Sequence, residues 1–238
     1  MTDARDVQRV ELTIELDAVA GSPSAAPRKV SAILLRPDGA RWMVVLAHGA
    51  GAGMRHAFLE KMAALLAARE VATLRYQFPY VEAGRRMPDR ADLLEHTVRA
   101  AAAEAARRAP DLPLFAGGKS MGGRMTSQAQ AAAPLPGLRG IAFIGFPLHP
   151  PGKPATTRAE HLPRVGVPML FLQGTRDELA DLSLLEPVVR PLEPQAELVI
   201  IEGADHSFRV PASSGRRAAD VLAGLADAVA GFASRVAG

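Results

Sequence analysis

The chain of 238 residues contains no cysteine, which excludes disulfide bonds, thiolate metal sites and a cysteine nucleophile. Any nucleophile must therefore be an oxygen or an amine. Long apolar runs are also missing, since none approaches the roughly 20 residues that a membrane span requires. Residues 1–17 are charged and alternating, unlike a secretory leader, which has a basic start followed by an apolar run. These absences predict a cytoplasmic protein with no membrane partner.

Aromatic residues make up only 5% of the chain, and the 28 Lys and Arg residues are nearly balanced by 25 Asp and Glu. The basic residues are spread out, in runs no longer than the pairs at 85–86 and 216–217. A nucleic-acid interface needs a basic patch, so we expect a solvated arginine-rich surface and no nucleic-acid partner. Apolar residues reach 48% and no linker-like stretch interrupts them, so residues 1–238 are predicted to form a single domain. Nothing in these patterns indicates an oligomeric state.

Strand-like and helix-like runs alternate along the chain. The patterns predict strands at 10–16, 29–35, 42–47, 72–78, 114–116, 140–146, 168–173 and 197–202, and helices at 58–69, 90–108, 124–132, 182–192 and 216–236. The first two strands flank a turn-rich segment at 21–24, which suits an antiparallel edge hairpin. The rest of the order implies right-handed crossovers. The predicted class is α/β, with a mostly parallel twisted sheet of about eight strands and helices on both faces.

A Gly-Lys-Ser-Met-Gly pentapeptide at 118–122 lies between the run at 114–116 and the helix at 124–132. A Gly-x-Ser-x-Gly sequence between a strand and a helix is typical of a nucleophile elbow, a strained turn that exposes a serine hydroxyl. Ser120 is therefore the predicted nucleophile.

An aspartate and a histidine follow two later strands. Asp177 comes just after the strand at 168–173, and His206 just after the strand at 197–202. The order Ser, Asp, His and the positions at strand ends are those of an α/β-hydrolase triad. Asp205 and Asp181 are rival carboxylates: Asp205, adjacent to His206, cannot easily reach the imidazole, and Asp181 is expected to begin a helix.

The oxyanion of an acyl-transfer reaction needs hydrogen-bond donors. We expect the backbone N–H of Met121, at the start of the helix, to be one donor and that of Ala50, in the glycine-rich loop at 48–53, to be the other. His48 in the same loop is expected to be a structural hydrogen-bonding residue.

Side chains after the fourth and sixth strands are expected to line the substrate pocket, namely Tyr76, Gln77, Phe78, Tyr80, Phe146, Leu148 and His149. The proline-rich segment between the sixth and seventh strands leaves no room for a large lid. An open site with a mixed aromatic and polar wall suits a small or medium ester. An anionic substrate is the alternative, suggested by the basic residues Arg85, Arg86, Arg124 and Lys153.

Two cofactor motifs are incomplete. Residues 118–120 resemble the tail of a phosphate-binding loop, but Pro113 stands where that motif needs glycine. The loop at 49–53 resembles a dinucleotide fingerprint, but the next strand ends in Arg75 and Gln77 instead of the ribose-binding carboxylate. His56, His96 and His161 have no spaced partners and are expected at surface or capping positions. We therefore expect neither an organic cofactor nor a metal.

The chain resembles the α/β-hydrolase superfamily over nearly its whole length, and its small size resembles the dienelactone-hydrolase-like members. The segments at 46–54, 75–80, 117–124 and 145–154 are similar to the family of testis-expressed protein 30 and NSL complex subunit 3. The resemblance implies the fold and, at matching positions, Ser120, Asp177 and His206 as the triad.

Dienelactone hydrolases proper use a cysteine nucleophile, so their lactone substrate is not transferred to this cysteine-free chain. A serine hydrolase of the carboxylesterase type is the expected activity, with a small-molecule ester as substrate. Thioesterase or peptidase activity on the same triad is an alternative. Because some relatives are subunits of complexes, a non-catalytic interaction subunit is a further alternative.

Overall fold

The computed structural model describes residues 6–17 and 28–238, so the turn predicted at 21–24 lies outside the described residues. Eight strands are present: β1 (Val7–Glu15), β2 (Lys29–Pro37), β3 (Trp42–Ala47), β4 (Val71–Tyr76), β5 (Leu114–Lys119), β6 (Leu138–Ile144), β7 (Met169–Gly174) and β8 (Ala196–Ile201). The helices are α1 (Ala57–Ala67), α2 (Pro79–Glu82), α3 (Ala91–Arg108), α4 (Met121–Ala132), α5 (Leu182–Val189) and α6 (Ala218–Ala237). Within the described residues every predicted strand and helix is present, whereas the four-residue helix α2 and the 3-10 helices Thr157–Ala159, Leu162–Arg164 and Ala212–Ser214 were not predicted.

The strands form one sheet in the order β1-β2-β4-β3-β5-β6-β7-β8. Strand β2 pairs antiparallel with both β1 and β4, and all pairs from β4 to β8 are parallel. The register pairs Ala47 at the end of β3 with Gly118 near the end of β5. Because parallel strands end at the same edge, the loops that follow β3, β5, β7 and β8 meet there.

Helices cover both faces of the sheet, as predicted. On β3, Val44 and Leu46 pack in an apolar cluster with residues of α1 and α6. Met43 and Val45 point to the other face, in a cluster with residues of α3, α4 and α5. A strand buried on both faces is apolar throughout, since each buried aliphatic side chain contributes about 1.5–3 kcal/mol.

The connection between β6 and β7 contains only two single-turn 3-10 helices, Thr157–Ala159 and Leu162–Arg164. It holds no helical lid, in agreement with the proline-rich sequence. Among the helices of the described ranges, none is long and apolar enough to cross a membrane.

Candidate active site

Ser120 occupies the sharp turn between β5 and α4. Its backbone has φ 52° and ψ −119°, and its N–H donates to the carbonyl of Ile144 at 3.1 Å. Such angles cost a non-glycine residue on the order of 1–3 kcal/mol, and they persist only where the surroundings enforce them. The structure thus has the strained geometry expected of a nucleophile elbow.

Glycines allow this turn to lie directly against strand β3. A Cβ atom on Gly118 would lie 2.2 Å from the carbonyl oxygen of Ala47, and one on Gly122 would lie 2.5 Å from the same oxygen. Both distances are well inside van der Waals contact. Close packing of the end of β5 and of the start of α4 against the backbone of β3 therefore requires glycine at both positions.

His206, in the turn after β8, contacts the serine hydroxyl. Its Nε2 lies 2.9 Å from Ser120 Oγ, and its Nδ1 lies 2.7 Å from Asp177 Oδ2. With Nδ1–H donating to the carboxylate, Nε2 carries the lone pair and can accept the serine proton. The structure thus brings Ser120, His206 and Asp177 into one hydrogen-bonded chain.

The carboxylate of Asp177 is fully buried and multiply hydrogen-bonded. Leu179 N–H donates to Oδ1 at 2.9 Å, and Gln173 Nε2 donates to Oδ2 at 2.6 Å. Gln173 is itself fixed because its Oε1 accepts from Phe146 N–H at 2.9 Å. Sequence reasoning missed Gln173, whose only signal is an amide at the end of an otherwise apolar strand. These bonds orient the carboxylate towards the imidazole.

The rival carboxylates are engaged elsewhere. Asp205 Oδ1 accepts from the backbone N–H groups of Ser207 and Arg209, at 2.8 and 2.9 Å, and so closes its own turn. Asp181 caps α5 by accepting from Ser183 N–H at 2.9 Å. Neither is the carboxylate that contacts His206.

A cleft of about 410 Å³ opens beside Ser120. Its wall includes Met121 and Ala50, the two residues predicted to donate to an oxyanion. The remainder of the wall is mostly apolar, with contributions from Pro88, Ala91, Leu94, Met125, Pro147, Pro150, Pro151 and Leu179. A mostly apolar concave wall with few polar groups is typical of a small-molecule site.

Three side chains hold the glycine-rich loop that carries Ala50. Arg75 Nη1 donates to the carbonyl of Met54 at 3.0 Å, and Gln77 Oε1 accepts from the backbone N–H of Met54 at 2.8 Å. His48 Nε2 accepts from Phe78 N–H at 3.1 Å. Arg75 and Gln77, which stand where a dinucleotide-binding motif would have its carboxylate, thus connect the loop to the end of β4.

His48 has the structural role that we expected. Its Nδ1 lies 2.8 Å from the carbonyl of Gly49, so one ring nitrogen donates and the other accepts. Burial lowers the pKa of His48 to about 4, which keeps the imidazole neutral near pH 7.

The prediction for the substrate pocket was wrong for most of the residues named. The structure buries Tyr76, Phe78, Tyr80, Phe146 and Leu148 completely. They pack in the core beneath the strand ends, and a side chain without exposed surface cannot line an open cleft. Helix α2 begins shortly after β4, and its residues Pro79 and Tyr80 are buried. The sequence pattern at the end of a strand does not reveal such a helix.

His149 was also predicted to contact substrate, but it is 4% exposed and joins two loops. Its Nδ1 lies 2.9 Å from the carbonyl of Pro150, and its Nε2 accepts from Asp181 N–H at 3.1 Å. Both ring nitrogens are therefore occupied within the protein.

His56 and His161 were both expected at surface or capping positions, and the structure confirms this for His56 alone. His56 caps α1, as expected, by accepting from Phe58 N–H. His161 was expected at a surface or capping position, but it is buried, with Nε2 2.7 Å from Ser127 Oγ. Burial, with Arg124 and Arg164 nearby, lowers the pKa of His161 to about 4.

Of the basic residues suggested for an anionic substrate, only Arg124 lines the cleft; Arg158, which was not predicted, lines it too. Arg85 pairs with Asp89 at 2.6 Å, and both Arg86 and Lys153 are exposed outside the cleft.

Lys119 precedes the serine, and its Nζ is buried without a hydrogen-bond partner among the residues that the structure describes. Burial lowers the pKa of Lys119 to about 8, against the opposing effects of Asp177 and Asp205.

Residues 40–234 match the family described as an alpha/beta hydrolase domain. Solved structures share the fold. A dienelactone hydrolase from Anabaena variabilis superposes with a TM-score of 0.70 at 22% identity, covering 97% of this chain and 96% of that one. An α/β serine hydrolase without a lid from Xanthomonas campestris gives 0.69 at 21% identity, over 94% and 95% of the two chains. An esterase domain from Rhodothermus marinus gives 0.70 at 16% identity, over 97% and 100%.

The sheet order and the elbow are those of the α/β hydrolases. The family match covers most of the chain, so the chain belongs to the alpha/beta hydrolase domain family and is a hydrolase. The predicted α/β-hydrolase fold is confirmed.

Proposed function

We propose that the chain is a serine hydrolase of the carboxylesterase type, which cleaves a small or medium ester through an acyl-enzyme on Ser120. The observation that carries the proposal is the continuous hydrogen-bond path from Ser120 Oγ through His206 to the buried carboxylate of Asp177, at 2.9 and 2.7 Å. Such a path activates a hydroxyl that is otherwise a weak nucleophile.

In the proposed mechanism, Ser120 Oγ attacks the ester carbonyl while its proton passes to His206 Nε2. Asp177 stabilises the imidazolium that forms, and the N–H groups of Met121 and Ala50 donate to the oxyanion. His206 then protonates the leaving alcohol. In the second half, a water molecule gives a proton to His206 and attacks the acyl carbonyl. The tetrahedral intermediate then expels Ser120 Oγ, which takes the proton back from His206, and the acid is released.

The finer family placement is part of the same proposal. The segments similar to testis-expressed protein 30 and NSL complex subunit 3 support a place near that family. We further take residues 1–238 as one catalytic domain acting in the cytoplasm. Thioesterase or peptidase chemistry would use the same residues and differ only in the leaving group.

The test is intact-mass labelling with a fluorophosphonate, which reports an activated serine without the natural substrate. Wild type should gain one adduct, and Ser120→Ala should gain none. Ser207→Ala is the matched control, because Ser207 is an exposed serine next to His206, and this variant should label like wild type. A folded wild-type protein that stays unlabelled would favour the non-catalytic interaction subunit.

A second measurement separates the leaving groups. Matched butyryl esters, thioesters and anilides should give the highest kcat/KM for the ester. A preference for the thioester or the anilide would replace the esterase assignment while leaving Ser120 as nucleophile.

A further inference from the structure

Two arginine side chains line the cleft beside the nucleophile. Arg124 lies one helical turn after Ser120 on α4, about 6 Å further along the helix axis. Arg158 reaches the cleft from the single-turn helix Thr157–Ala159 in the connection between β6 and β7. Two elements that are distant in sequence thus direct positive charge to one small cavity.

Neither guanidinium is neutralised by an ion pair within residues 6–17 and 28–238. Arg124 Nη1 donates to Gln128 Oε1 at 3.2 Å, while its Nε is buried without a partner. Arg158 Nη1 makes only a long contact of 3.5 Å with the carbonyl of Pro147. Burial and the proximity of Arg158 lower the pKa of Arg124. The cleft therefore holds two like charges with unused donors.

Acidic groups near the cleft do not remove this charge. Asp89 is the only carboxylate among the described residues of the wall, and it is already paired with Arg85 at 2.6 Å. Glu95 on α3 interacts electrostatically with Arg99 and Arg124, and burial raises the pKa of Glu95. No carboxylate within the described ranges lies within ion-pair distance of Arg124 or Arg158.

We infer that the natural substrate carries a carboxylate in addition to its scissile ester, and that Arg124 and Arg158 bind this carboxylate. The inference rests on the proposed function, since it names the substrate class for the cleft of Ser120. Guanidinium groups match the planar geometry of a carboxylate and can donate two hydrogen bonds to it. The mostly apolar remainder of the cleft wall suits a short hydrocarbon spacer.

The test compares kcat/KM for esters that differ only in the anionic group. One arm uses mono-p-nitrophenyl adipate against p-nitrophenyl hexanoate, which places the charge on the acyl side. The other uses 4-carboxyphenyl butyrate against 4-carbamoylphenyl butyrate, which places it on the alcohol side. Wild type should prefer the anionic ester in one arm by about 10-fold or more, since a charged hydrogen bond contributes that much.

Variants of the two arginines test whether Arg124 and Arg158 cause the preference for the anionic ester. Arg124→Gln and Arg158→Gln should each reduce the ratio of anionic to neutral kcat/KM by about 10- to 100-fold, and Arg124→Lys should retain part of it. Lys153→Gln is the matched control, because Lys153 is an exposed cation in the same connection as Arg158, and its ratio should equal that of wild type. If Arg124→Gln does not fold, Arg158→Gln decides alone.

A wild-type ratio below about threefold in both arms would overturn the inference, as would a preference that neither arginine variant changes. Fluorophosphonate labelling of the same preparations separates the two proposals. Labelled protein without anion preference refutes the carboxylate site only, whereas folded protein without labelling refutes the serine hydrolase itself.

Discussion

Replacing Gly122 with alanine should destabilise the protein by about 1–3 kcal/mol, the usual cost of overpacking. The new Cβ would lie 2.5 Å from the carbonyl oxygen of Ala47, 2.6 Å from its carbonyl carbon and 2.7 Å from its Cβ. Favourable contacts between carbon atoms lie at about 3.5–4.0 Å. Ala47 cannot retreat, because β3 is paired on both sides, with Tyr76 and Gly118 opposite this residue. Helix α4 must move instead.

Urea unfolding followed by circular dichroism measures the effect. The midpoint should fall at an unchanged m-value, and for a chain of this size the Tm should fall by roughly 2–4 °C for each kcal/mol. Because Ser120 lies at the start of the displaced helix, fluorophosphonate labelling should also slow.

Gly224→Ala is the matched control. Gly224 lies in the exposed middle of α6, and a Cβ there would meet no atom within 4 Å. Alanine is the better helix residue by about 0.5–1 kcal/mol, so this variant should be more stable than wild type. Equal stability of Gly122→Ala and wild type would refute the packing argument, and so would equal losses in both variants.

Three further predictions follow from the site. Asp177→Asn should lower kcat by about 10³- to 10⁴-fold, because the amide no longer fixes the imidazole tautomer. Asp205→Asn should lower kcat by less than about tenfold. If an ester assay gave the reverse ranking of the two variants, it would contradict the proposed triad. The unfolded chain protonates His161 near pH 6.5 and the folded chain only near pH 4, so stability should fall as the pH drops through this window. His161→Gln should make that slope shallower by up to about 1.4 kcal/mol per pH unit, and an unchanged slope in urea titrations would refute the assignment. Lys119→Met should raise the free energy of unfolding at pH 7 by about 1–3 kcal/mol by removing a buried, unpaired charge. This gain in stability over wild type should shrink as the pH rises from 8 towards 10.5, since folded Lys119 has a pKa of about 8. A Lys119→Met variant less stable than wild type at pH 7 would contradict the prediction.

Much of the architecture could be predicted because the sequence pattern indicates where the strands end. Apolar runs that end in Gly, Asp or His mark the edge of a parallel sheet, and chain order alone then places Ser120, Asp177 and His206 together. The lining of the cleft was not predictable in this way. Burial of Tyr76 depends on how neighbouring segments pack over the sheet, and the entry of Arg158 depends on the path of an irregular connection. Both result from tertiary packing rather than from local pattern.

The connection between β6 and β7 has a consequence for changing specificity. It supplies Pro147, Pro150, Pro151 and Arg158 to the cleft, whereas Ser120, Asp177 and His206 follow β5, β7 and β8. These cleft residues therefore lie in a different stretch of chain from Ser120, Asp177 and His206, whereas Arg124, also in the cleft wall, lies four residues after Ser120 on α4. Residues 150–158 could be exchanged to change the cleft wall, provided that the backbone at Phe146 keeps its hydrogen bond to Gln173. In engineering terms, this connection allows part of the cleft wall to be redesigned while the loops that carry Ser120, Asp177 and His206 stay unchanged.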